Sequence, residues 1–579
     1  MMNSLLSPPS PPRDAGEQTR ERIARPAPRP TLPSEHLPRG WLRARLRGRD
    51  LMVLCLFSVL LVTNVPVIAG AGGAAFLYWG LGFVTFLIPS ALICAQLYRL
   101  FPGEGAVYLW AQKALGNFWD VLLGFFCNWW PGCIGLTIEA LAGVNGIQAL
   151  NPTWLSASWQ QGVVAMVLIL LAQALCCLGQ RRLQRLLNGV FLLYLGFFVL
   201  LGLSGVAFVL AGHPPRGDFS SHGWVLAPAT YPLFATVIVS LLGMAVPLNL
   251  GAEVREPQVV DRFLLWATGI TMGVYLLGTL AVSAVLPPGD LGNPAFLTEL
   301  FTSVWGPLGT LLGTANELVL IVYFLCAIAA FNLLFARLLL VAAIDQRLPA
   351  RVARLRAGEP LTATLLQSGI NLLFLVAVFL IAPVVVPSVA QLSTAVFLVT
   401  INGASLIWNL AMIGLFLCGI ILVQRARRTW QGRWVLPPAL LSLACVLGMG
   451  ASAIAIGSTL FAGSPLPAVL TNANWNYWVL VVTLASLAVG AIVSFLAPEA
   501  EDLSAFLARR AHRQAGPLTT SASASSLPGH AARAAVPPAS ARSAPMPVRP
   551  SSGPQGVRPG SRSGSLGAAR DGAEHRTLL

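Results

Sequence analysis

Charged residues are scarce in this chain. They make up 10% of its 579 residues, whereas 56% are hydrophobic and the mean hydropathy is +0.72. Soluble domains carry charge on about a quarter of their residues, so a soluble globular protein of this length is excluded. The formal net charge of +15 is expected to reflect membrane topology and attraction to anionic lipid, and no nucleic-acid partner is expected.

The sequence also lacks the patterns that metal sites, disulfide frameworks and ATP-driven pumps need. None of the nine cysteines belongs to a CxxC pair, and the six histidines are not clustered. No GxxxxGK[ST] motif for ATP binding is present. We therefore expect no enzyme, no cofactor, no bound metal and no ATP-driven pump within this chain.

Long apolar runs fill the middle of the chain, and most are long enough to cross a bilayer as helices of about 20 residues. Arginine is concentrated before the first run and after runs 4, 8, 10 and 12, whereas the loops after runs 1, 3, 9 and 11 have no basic residue. Because basic residues stay on the cytoplasmic side of short loops, we predict a multi-pass protein of the cell (plasma) membrane with both termini cytoplasmic. The twelve predicted spans cover residues 51–73, 79–98, 118–148, 161–178, 188–211, 231–252, 263–286, 308–341, 363–383, 389–423, 435–461 and 476–496.

The two ends of the chain differ in composition from the spans. Residues 1–48 and 499–579 are rich in Pro, Arg, Ala, Ser and Gly and poor in large apolar side chains. We predict that both are disordered and basic, and that they flank a transmembrane domain of residues 49–498. The start lacks the features of a signal peptide, so span 1 is expected to remain as an anchor. The tail is interpreted as a solvated cytoplasmic extension, with a basic plug of the inner cavity as the alternative.

Span 6 has helix-breaking residues near its middle. Gly243 lets the chain unwind, and Pro247 cannot donate a backbone hydrogen bond. In a membrane the freed backbone groups are tolerated only beside protein, water or ligand. Span 1 carries a matching sequence, Thr-Asn-Val-Pro at residues 63–66, at a similar depth and five spans earlier. An odd offset makes the two helices antiparallel, as in transporters built from inverted repeats, whereas a simple kink at the proline is the alternative.

Opposed half-helices of this kind suit a small zwitterion, because their freed amides attract an anion and their freed carbonyls a cation. Glu139 in span 3 is a costly membrane carboxylate and a candidate for a substrate ammonium or for proton coupling, with an interhelical hydrogen bond as the alternative. Trp129 would offer a ring face to a cation, or pack toward lipid. The predicted substrate-binding residues are Thr63, Asn64, Val65, Pro66, Trp129, Glu139, Ser240, Gly243 and Met244.

Three segments resemble amino acid permeases of the amino acid-polyamine-organocation (APC) superfamily. Residues 101–108 (FPGEGAVY), followed by residues 116–119 (GNFW), are similar to the family's Gly-rich signature before span 3. Residues 249–257 (NLGAEVREP) resemble its end of span 6, and residues 337–349 its Arg-rich exit of span 8. The resemblance implies an all-α, LeuT-like integral membrane fold of about twelve transmembrane helices, with two inverted five-helix repeats plus two C-terminal helices. It also implies a substrate bound between spans 1, 3, 6, 8 and 10.

Two features depart from that family pattern. The usual Gly-Ser-Gly type motif of span 1 is absent, and the proline that stands there is more like the glutamate:GABA antiporter branch. Span 6 has Val239, Ser240 and Leu241 where many relatives have an aromatic gate before the unwound glycine. Carboxylate recognition at span 1 and the lid of the pocket are therefore left open.

The predicted function is a secondary active transporter of amino acids, a permease or antiporter that works by alternating access around a midplane site. Its expected partners are an amino acid or related amine, membrane lipid and, for coupling, a proton, a sodium ion or an exchanged substrate. Span 5 contains no lysine, so coupling through a buried amine there is unsupported. A sensor of the same fold and, less favoured, an integral-membrane enzyme are the alternatives.

Overall fold

The protein is built of α-helices in the computed structural model, which describes residues 32–35, 42, 44–151, 153–287, 291, 295–356, 358–385, 392–430, 432–461 and 471–514. Among these residues, eleven helices are long and apolar enough to cross a membrane, and they coincide with eleven of the twelve predicted spans. The remaining span, number 6, is interrupted. The predicted all-α membrane fold of about twelve helices is thus confirmed.

We number the segments after the predicted spans. Their bounds are α1 (Gly48–Ala69), α2 (Gly73–Leu100), α3 (Asn117–Leu150), α4 (Ser158–Cys176), α5 (Gln180–Leu210), α6 (Pro232–Ser240 with Val246–Glu253), α7 (Pro257–Val285), α8 (Pro307–Ile344), α9 (Leu361–Val385), α10 (Ser393–Ala426), α11 (Pro438–Phe461) and α12 (Asn472–Ala497). Two shorter helices, Ala106–Leu115 and Phe296–Trp305, connect α2 to α3 and α7 to α8.

The segments differ in how much of their surface is buried. In the most apolar stretch of α1 and α3, 72% is buried inside the protein, compared with 67% in α2, α8 and α10 and 22% in α12. The less buried helices expose leucine, valine and isoleucine side chains, as expected of helices that face lipid. The most buried segments are therefore α1, α2, α3, α8 and α10, and the interrupted α6 packs against α1 and α8.

The interruption of α1 lies where the sequence predicts it. Its first α-helical part ends at Val59, and a single 3₁₀ turn follows at Val62–Asn64. The α-helix resumes at Val65–Ala69 with a proline in its first turn, where the missing N–H of proline leaves no hydrogen bond unmade. The proline thus starts the second half of α1 rather than kinking a continuous helix.

The interruption of α6 depends on Gly243. The α-helix ends at Ser240, turns follow, and a 3₁₀ helix occupies Val246–Glu253. Gly243 has a φ of +112°, and a Cβ at this position would lie 2.2 Å from the carbonyl oxygen of Ser58 in α1. Only glycine satisfies both conditions, so this residue permits the turn and also the close approach of α6 to α1.

Parts of the two predicted disordered ends are described by the structure. Ser34 donates hydrogen bonds from its backbone N–H (2.9 Å) and its hydroxyl (2.7 Å) to the carboxylate of Asp345, and Glu35 pairs with Lys113 at 2.6 Å. The helix that contains α12 continues to Gln514. The plug interpretation refers to the tail of residues 499–579, of which 515–579 lie outside the described residues, so this interpretation and the domain boundaries stay predictions.

Candidate functional site

A tyrosine hydroxyl from α7 joins the two interruptions. The Oη atom of Tyr275 accepts a hydrogen bond from the Leu61 N–H (2.9 Å) and lies 2.8 Å from the carbonyl oxygens of both Val59 and Ser240. A phenol has one proton, so it donates to one of these carbonyls at a time. Backbone groups freed by the breaks in α1 and α6 therefore share one partner. Tyr275 is not predictable from the sequence, because only its contacts distinguish it from other aromatic residues of the spans.

Side chains also connect α1 to α6 directly. The Asn64 amide donates to the Ser240 hydroxyl at 2.8 Å, and that hydroxyl donates to the Thr236 carbonyl at 2.7 Å. Tyr323 of α8 donates to the Leu60 carbonyl at 3.3 Å. Unpaired backbone groups cost several kcal/mol in an apolar medium. Tyr275 and Tyr323 pair with backbone groups at the interruptions, whereas Asn64 and Ser240 join the two helices through their side chains.

A cavity of about 280 Å³ lies beside the interruptions. It is lined by α1, α3, α6, α8 and α10, the same five segments that the family resemblance implies for substrate. Four predicted site residues are brought together here, namely Thr63, Asn64, Glu139 and Ser240. The other lining residues are Phe57, Ser58, Val59, Leu60, Leu61, Pro131, Gly135, Ile138, Val239, Leu242, Phe331, Leu398, Ile401, Ala404, Ser405 and Trp408.

Glu139 is the only charged residue among the described residues that line this cavity. The residue is 5% exposed, and its carboxylate makes no hydrogen bond or ion pair with any residue that the structure describes. A buried carboxylate without a partner is stable only if it is protonated or if it meets a cation. The interhelical hydrogen bond that was the alternative for Glu139 is not found in the described part of the chain.

Three aromatic side chains that are not among the predicted site residues line the cavity. Phe331 of α8 and Trp408 of α10 line it, together with Phe57 of α1. These rings supply apolar surface to the cavity, whereas α6 has no aromatic residue at the position of the gate before Gly243. Many aromatic residues in the spans face lipid or the protein core, so the sequence contains no signal that separates these three from the rest.

Five predicted site residues lie outside the lining of the cavity, namely Val65, Pro66, Trp129, Gly243 and Met244. The Met244 sulfur lies 3.2 Å from the Cys55 thiol, at the contact of α6 with α1. The Trp129 indole N–H donates to Gln367 of α9 at 3.3 Å. Val65 lines a separate, narrow cavity beside α5. These contacts neither support nor contradict substrate binding by the five residues, so their predicted roles remain untested.

The three segments that carry the family resemblance meet in a buried ionic cluster. The Arg337 guanidinium of α8 is fully buried and lies 2.5 Å from Glu253, 3.5 Å from Glu104 and 3.6 Å from Glu359. Arg45, before α1, pairs with Glu359 at 2.8 Å. Burial and the charge of Glu253 raise the pKa of Glu104 above its usual range, and the Arg337 charge opposes this shift. We call the end of the bundle that holds this cluster, where α1 begins, the basic end.

Glycines in the same segments allow their backbones to touch. A Cβ at Gly251, at the end of α6, would lie 2.1 Å from the Gly103 carbonyl oxygen. The Gly105 N–H donates to the Asn249 carbonyl at 3.0 Å, and the Tyr98 hydroxyl donates to the Gly251 carbonyl at 2.8 Å. The connection between α2 and α3 is therefore fixed directly onto the end of α6.

Comparison with known proteins finds relatives over most of the chain. A sequence model of the family described as "Amino acid permease" matches residues 51–486, a range that includes every residue of the cavity. An uncharacterised transporter of Legionella pneumophila is 26% identical over 349 residues, which are 57% of this chain and 73% of that protein. An uncharacterised transporter of Mycobacterium tuberculosis is 29% identical over 334 residues, 54% of this chain and 68% of that protein.

A more distant relative has a more specific name. A probable agmatine/putrescine antiporter of Lactococcus lactis is 22% identical over 268 residues, which are 44% of this chain and 54% of that protein. The relatives are thus named as transporters, and the family match covers most of the chain. The chain belongs to the amino acid permease family of the APC superfamily and is a multi-pass membrane transporter.

Proposed function

We propose that this transporter moves a small molecule with an ammonium group, an amino acid or a related amine, through the cavity between α1 and α6. The observation that carries the proposal is the Glu139 carboxylate, which is buried, lines the cavity and lacks a partner among the described residues. A substrate ammonium at this position would supply the missing charge. The named amine specificity of the Lactococcus lactis relative supports the same class of substrate.

The rest of the lining narrows the substrate class further. No basic side chain occurs among the described residues that line the cavity, so the side-chain carboxylate of an acidic amino acid would have no counter-ion there. Thr63, Asn64 and Ser240 offer neutral hydrogen-bonding groups, and Phe331 and Trp408 offer apolar surface. Neutral amino acids and amines therefore fit this lining better than glutamate or aspartate.

The proposed mechanism is alternating access, in which α1 and α6 move around the cavity. Both are interrupted, and both are joined at the interruption by Tyr275 and by the Asn64–Ser240 hydrogen bond. Opening of the cavity toward the basic end requires the Arg337 cluster to rearrange, because that cluster links the end of α6 to α8 and, through Arg45, to the start of α1. From the arginine distribution, we propose that the basic end faces the cytoplasm, and we propose the cell membrane as the location of the protein.

Uptake into proteoliposomes tests this proposal. The panel contains labelled neutral amino acids, GABA, putrescine and glutamate, each measured with and without a pH or sodium gradient and in counterflow. We expect uptake of at least one ammonium-bearing substrate and less uptake of glutamate. Stimulation by a gradient would identify ion coupling, whereas counterflow without a gradient effect would identify exchange. Binding of a panel member without any flux would favour a sensor of the same fold.

Glu139→Gln tests the residue that carries the proposal. The change removes the charge and keeps the size of the side chain, so we expect uptake of the preferred substrate to fall at least tenfold, by roughly 1.4 kcal/mol or more. Glu317→Gln is the matched control, because Glu317 is a buried carboxylate of α8 that does not line the cavity. Wild-type kinetics in Glu139→Gln would show that this carboxylate does not bind the substrate.

A further inference from the structure

A second pocket lies at the basic end and contains an unusual number of arginines. Its volume is about 470 Å³, and it lies between the start of α1 with the residues just before it, the first turns of α5, and Arg255 after α6. Six of the eleven lining residues are arginines, namely Arg45, Arg47, Arg49, Arg181, Arg185 and Arg255. Asp50 is the single acidic residue among the described residues that line it. The pocket is therefore strongly positive.

Two of these arginines have an acidic partner. Arg45 pairs with Glu359 at 2.8 Å, and the Nε atom of Arg49 lies 3.8 Å from the Asp50 carboxylate. Asp50 also accepts hydrogen bonds from the Asn188 amide (2.8 Å) and from a backbone N–H at the start of α1 (2.9 Å). The Asp50 carboxylate is thus already occupied and neutralises little of the charge that remains in the pocket.

Four arginines of the pocket make no ion pair with any described residue, and they are Arg47, Arg181, Arg185 and Arg255. Arg181 and Arg185 are four residues apart on α5, so they lie on the same face of the helix. The N-terminal ends of α1 and α5, at Gly48 and Gln180, lie at the same pocket and add partial positive charge. The four side chains are exposed and carry like charges, so an anion bound among them would reduce their mutual repulsion.

An apolar groove lies next to this pocket on the same helix. It is lined by α5 residues Gly189, Leu192, Leu193, Gly196, Phe197 and Leu200, which begin one turn beyond Arg185. A Cβ built on Gly189 or Gly196 would meet no atom within 4 Å, so the groove is open. From Arg185 to Leu200 the helix rises about 22 Å, which is enough to cross one leaflet of a bilayer, roughly 15 Å.

We propose that the basic pocket binds a phosphate group and that its occupant is the headgroup of an anionic phospholipid whose acyl chain lies in the α5 groove. Guanidinium groups bind phosphate oxygens in a bidentate manner, and basic pockets between transmembrane helices suit anionic headgroups. A free phosphate ion would use the arginines alone. The apolar groove that continues from them along α5 is what favours a lipid.

The bound headgroup would also affect the moving helices. The backbone N–H groups of Arg45 and Leu46 donate to the Glu253 carbonyl at the end of α6 (2.9 and 3.0 Å), and the Arg255 N–H donates to the Leu46 carbonyl at 3.0 Å. The pocket therefore includes residues next to the contact between the start of α1 and the end of α6. An anion bound there would hold α1, α5 and α6 together at the basic end, whatever substrate the cavity takes.

Thermal unfolding of the purified full chain in detergent tests the site without any transport assay. Phosphatidylglycerol is compared with phosphatidylcholine, and inorganic phosphate is added in a separate arm. We expect phosphatidylglycerol to raise the unfolding temperature by at least about 2 °C more than phosphatidylcholine. The double variant Arg181→Gln/Arg185→Gln should lose at least half of this increment. Both side chains are exposed, so the variant is expected to fold.

The matched control is Arg427→Gln/Arg428→Gln, which removes two exposed arginines just beyond α10 and outside the pocket. This control should keep the increment; equal losses in both double variants, or no loss in either, would overturn the proposal. Gly196→Leu fills the groove and should reduce the effect of phosphatidylglycerol. The lipid assignment is wrong, and the pocket takes a free phosphate, if two results are found together. Inorganic phosphate alone would raise the unfolding temperature of the wild type as much as phosphatidylglycerol does, and Gly196→Leu would leave the effect of phosphatidylglycerol unchanged.

Discussion

Gly243 shows how much a single missing side chain contributes to this protein. It has a φ of +112° and leaves no room for a Cβ beside the Ser58 carbonyl oxygen. The residue itself does not line the cavity, whereas its neighbours Ser240 and Leu242 do. We infer that it sets the distance between α6 and α1 at the site, whereas a direct contact of Gly243 with a substrate stays a prediction.

Gly243→Val is expected to abolish uptake while leaving membrane insertion intact. A valine Cβ would lie 2.2 Å from the Ser58 oxygen, so α1 and α6 must separate, and small displacements of positioned groups cost about a hundredfold in rate. The measurement is uptake in proteoliposomes, together with yield and elution volume of the purified protein. Gly457→Val in α11 is the control, because nothing lies within 4 Å of a Cβ there. Unchanged kinetics in Gly243→Val would show that the spacing of α1 and α6 does not limit transport.

Rare residue types are what made part of the site predictable from sequence. A glycine, a proline or a carboxylate stands out in an apolar span, and on this basis Asn64, Glu139 and Ser240 were predicted and do line the cavity. Trp408 and Phe331 were not predicted, because aromatic residues are common in membrane helices and their direction depends on packing. Trp129 was predicted for the same site, but its indole contacts α9.

Helices α1, α6 and α7 depend on one another at the level of whole elements. The breaks in α1 and α6 are predictable from the glycine and proline residues of these two segments. The hydroxyl that hydrogen-bonds to the backbone groups at both breaks, however, belongs to Tyr275 in α7. The Tyr275 ring stacks on Trp79 of α2, with centroids 4.1 Å apart. A hydropathy pattern locates each helix separately and does not indicate which side chain contacts two of them. The role of Tyr275 is therefore visible only in the structure.

Tyr275→Phe is expected to destabilise the protein by about 1–3 kcal/mol, because it leaves buried backbone groups of both helices without their partner. We also expect a lower rate of uptake, since the two interruptions lose their common anchor. Thermal unfolding and proteoliposome uptake measure the two effects. The exposed Tyr477 in α12 provides the control Tyr477→Phe. If the Tyr275 and Tyr477 variants behave alike, the freed groups of α1 and α6 are satisfied in another way.

The molecule as a whole is organised by burial and by the distribution of charge. Helices α1, α3, α8 and α10 line the cavity and are among the most buried segments, and α2 is as buried as α8 and α10 although it does not line the cavity. The ionic groups around Arg337 lie at the basic end. The number of spans and their approximate bounds were predictable, because a bilayer requires about 20 apolar residues for each crossing. The convergence of Glu104, Glu253 and Arg337 was not, since these residues lie far apart in sequence and only the packed bundle brings them together.

We predict the orientation of the bundle from the same charge distribution, and this prediction is open to a direct test. Seven of the nine cysteines are buried, Cys176 is half-buried, and Cys177 is exposed. Cys177 directly follows α4, on the side of the bundle that the arginine distribution assigns to the cytoplasm. Ser220 is exposed in the connection between α5 and α6, which the same assignment places outside the cell.

A membrane-impermeant maleimide should therefore label the wild-type protein only after the cells are permeabilised. Cys177→Ser should remove this labelling, because the remaining thiols are buried or half-buried and buried thiols react poorly. Addition of Ser220→Cys to the Cys177→Ser variant should restore labelling, now in intact cells. Labelling of Cys177 in intact cells, with Ser220→Cys protected until permeabilisation, would show that the basic end faces outward and that the arginine distribution does not set the topology.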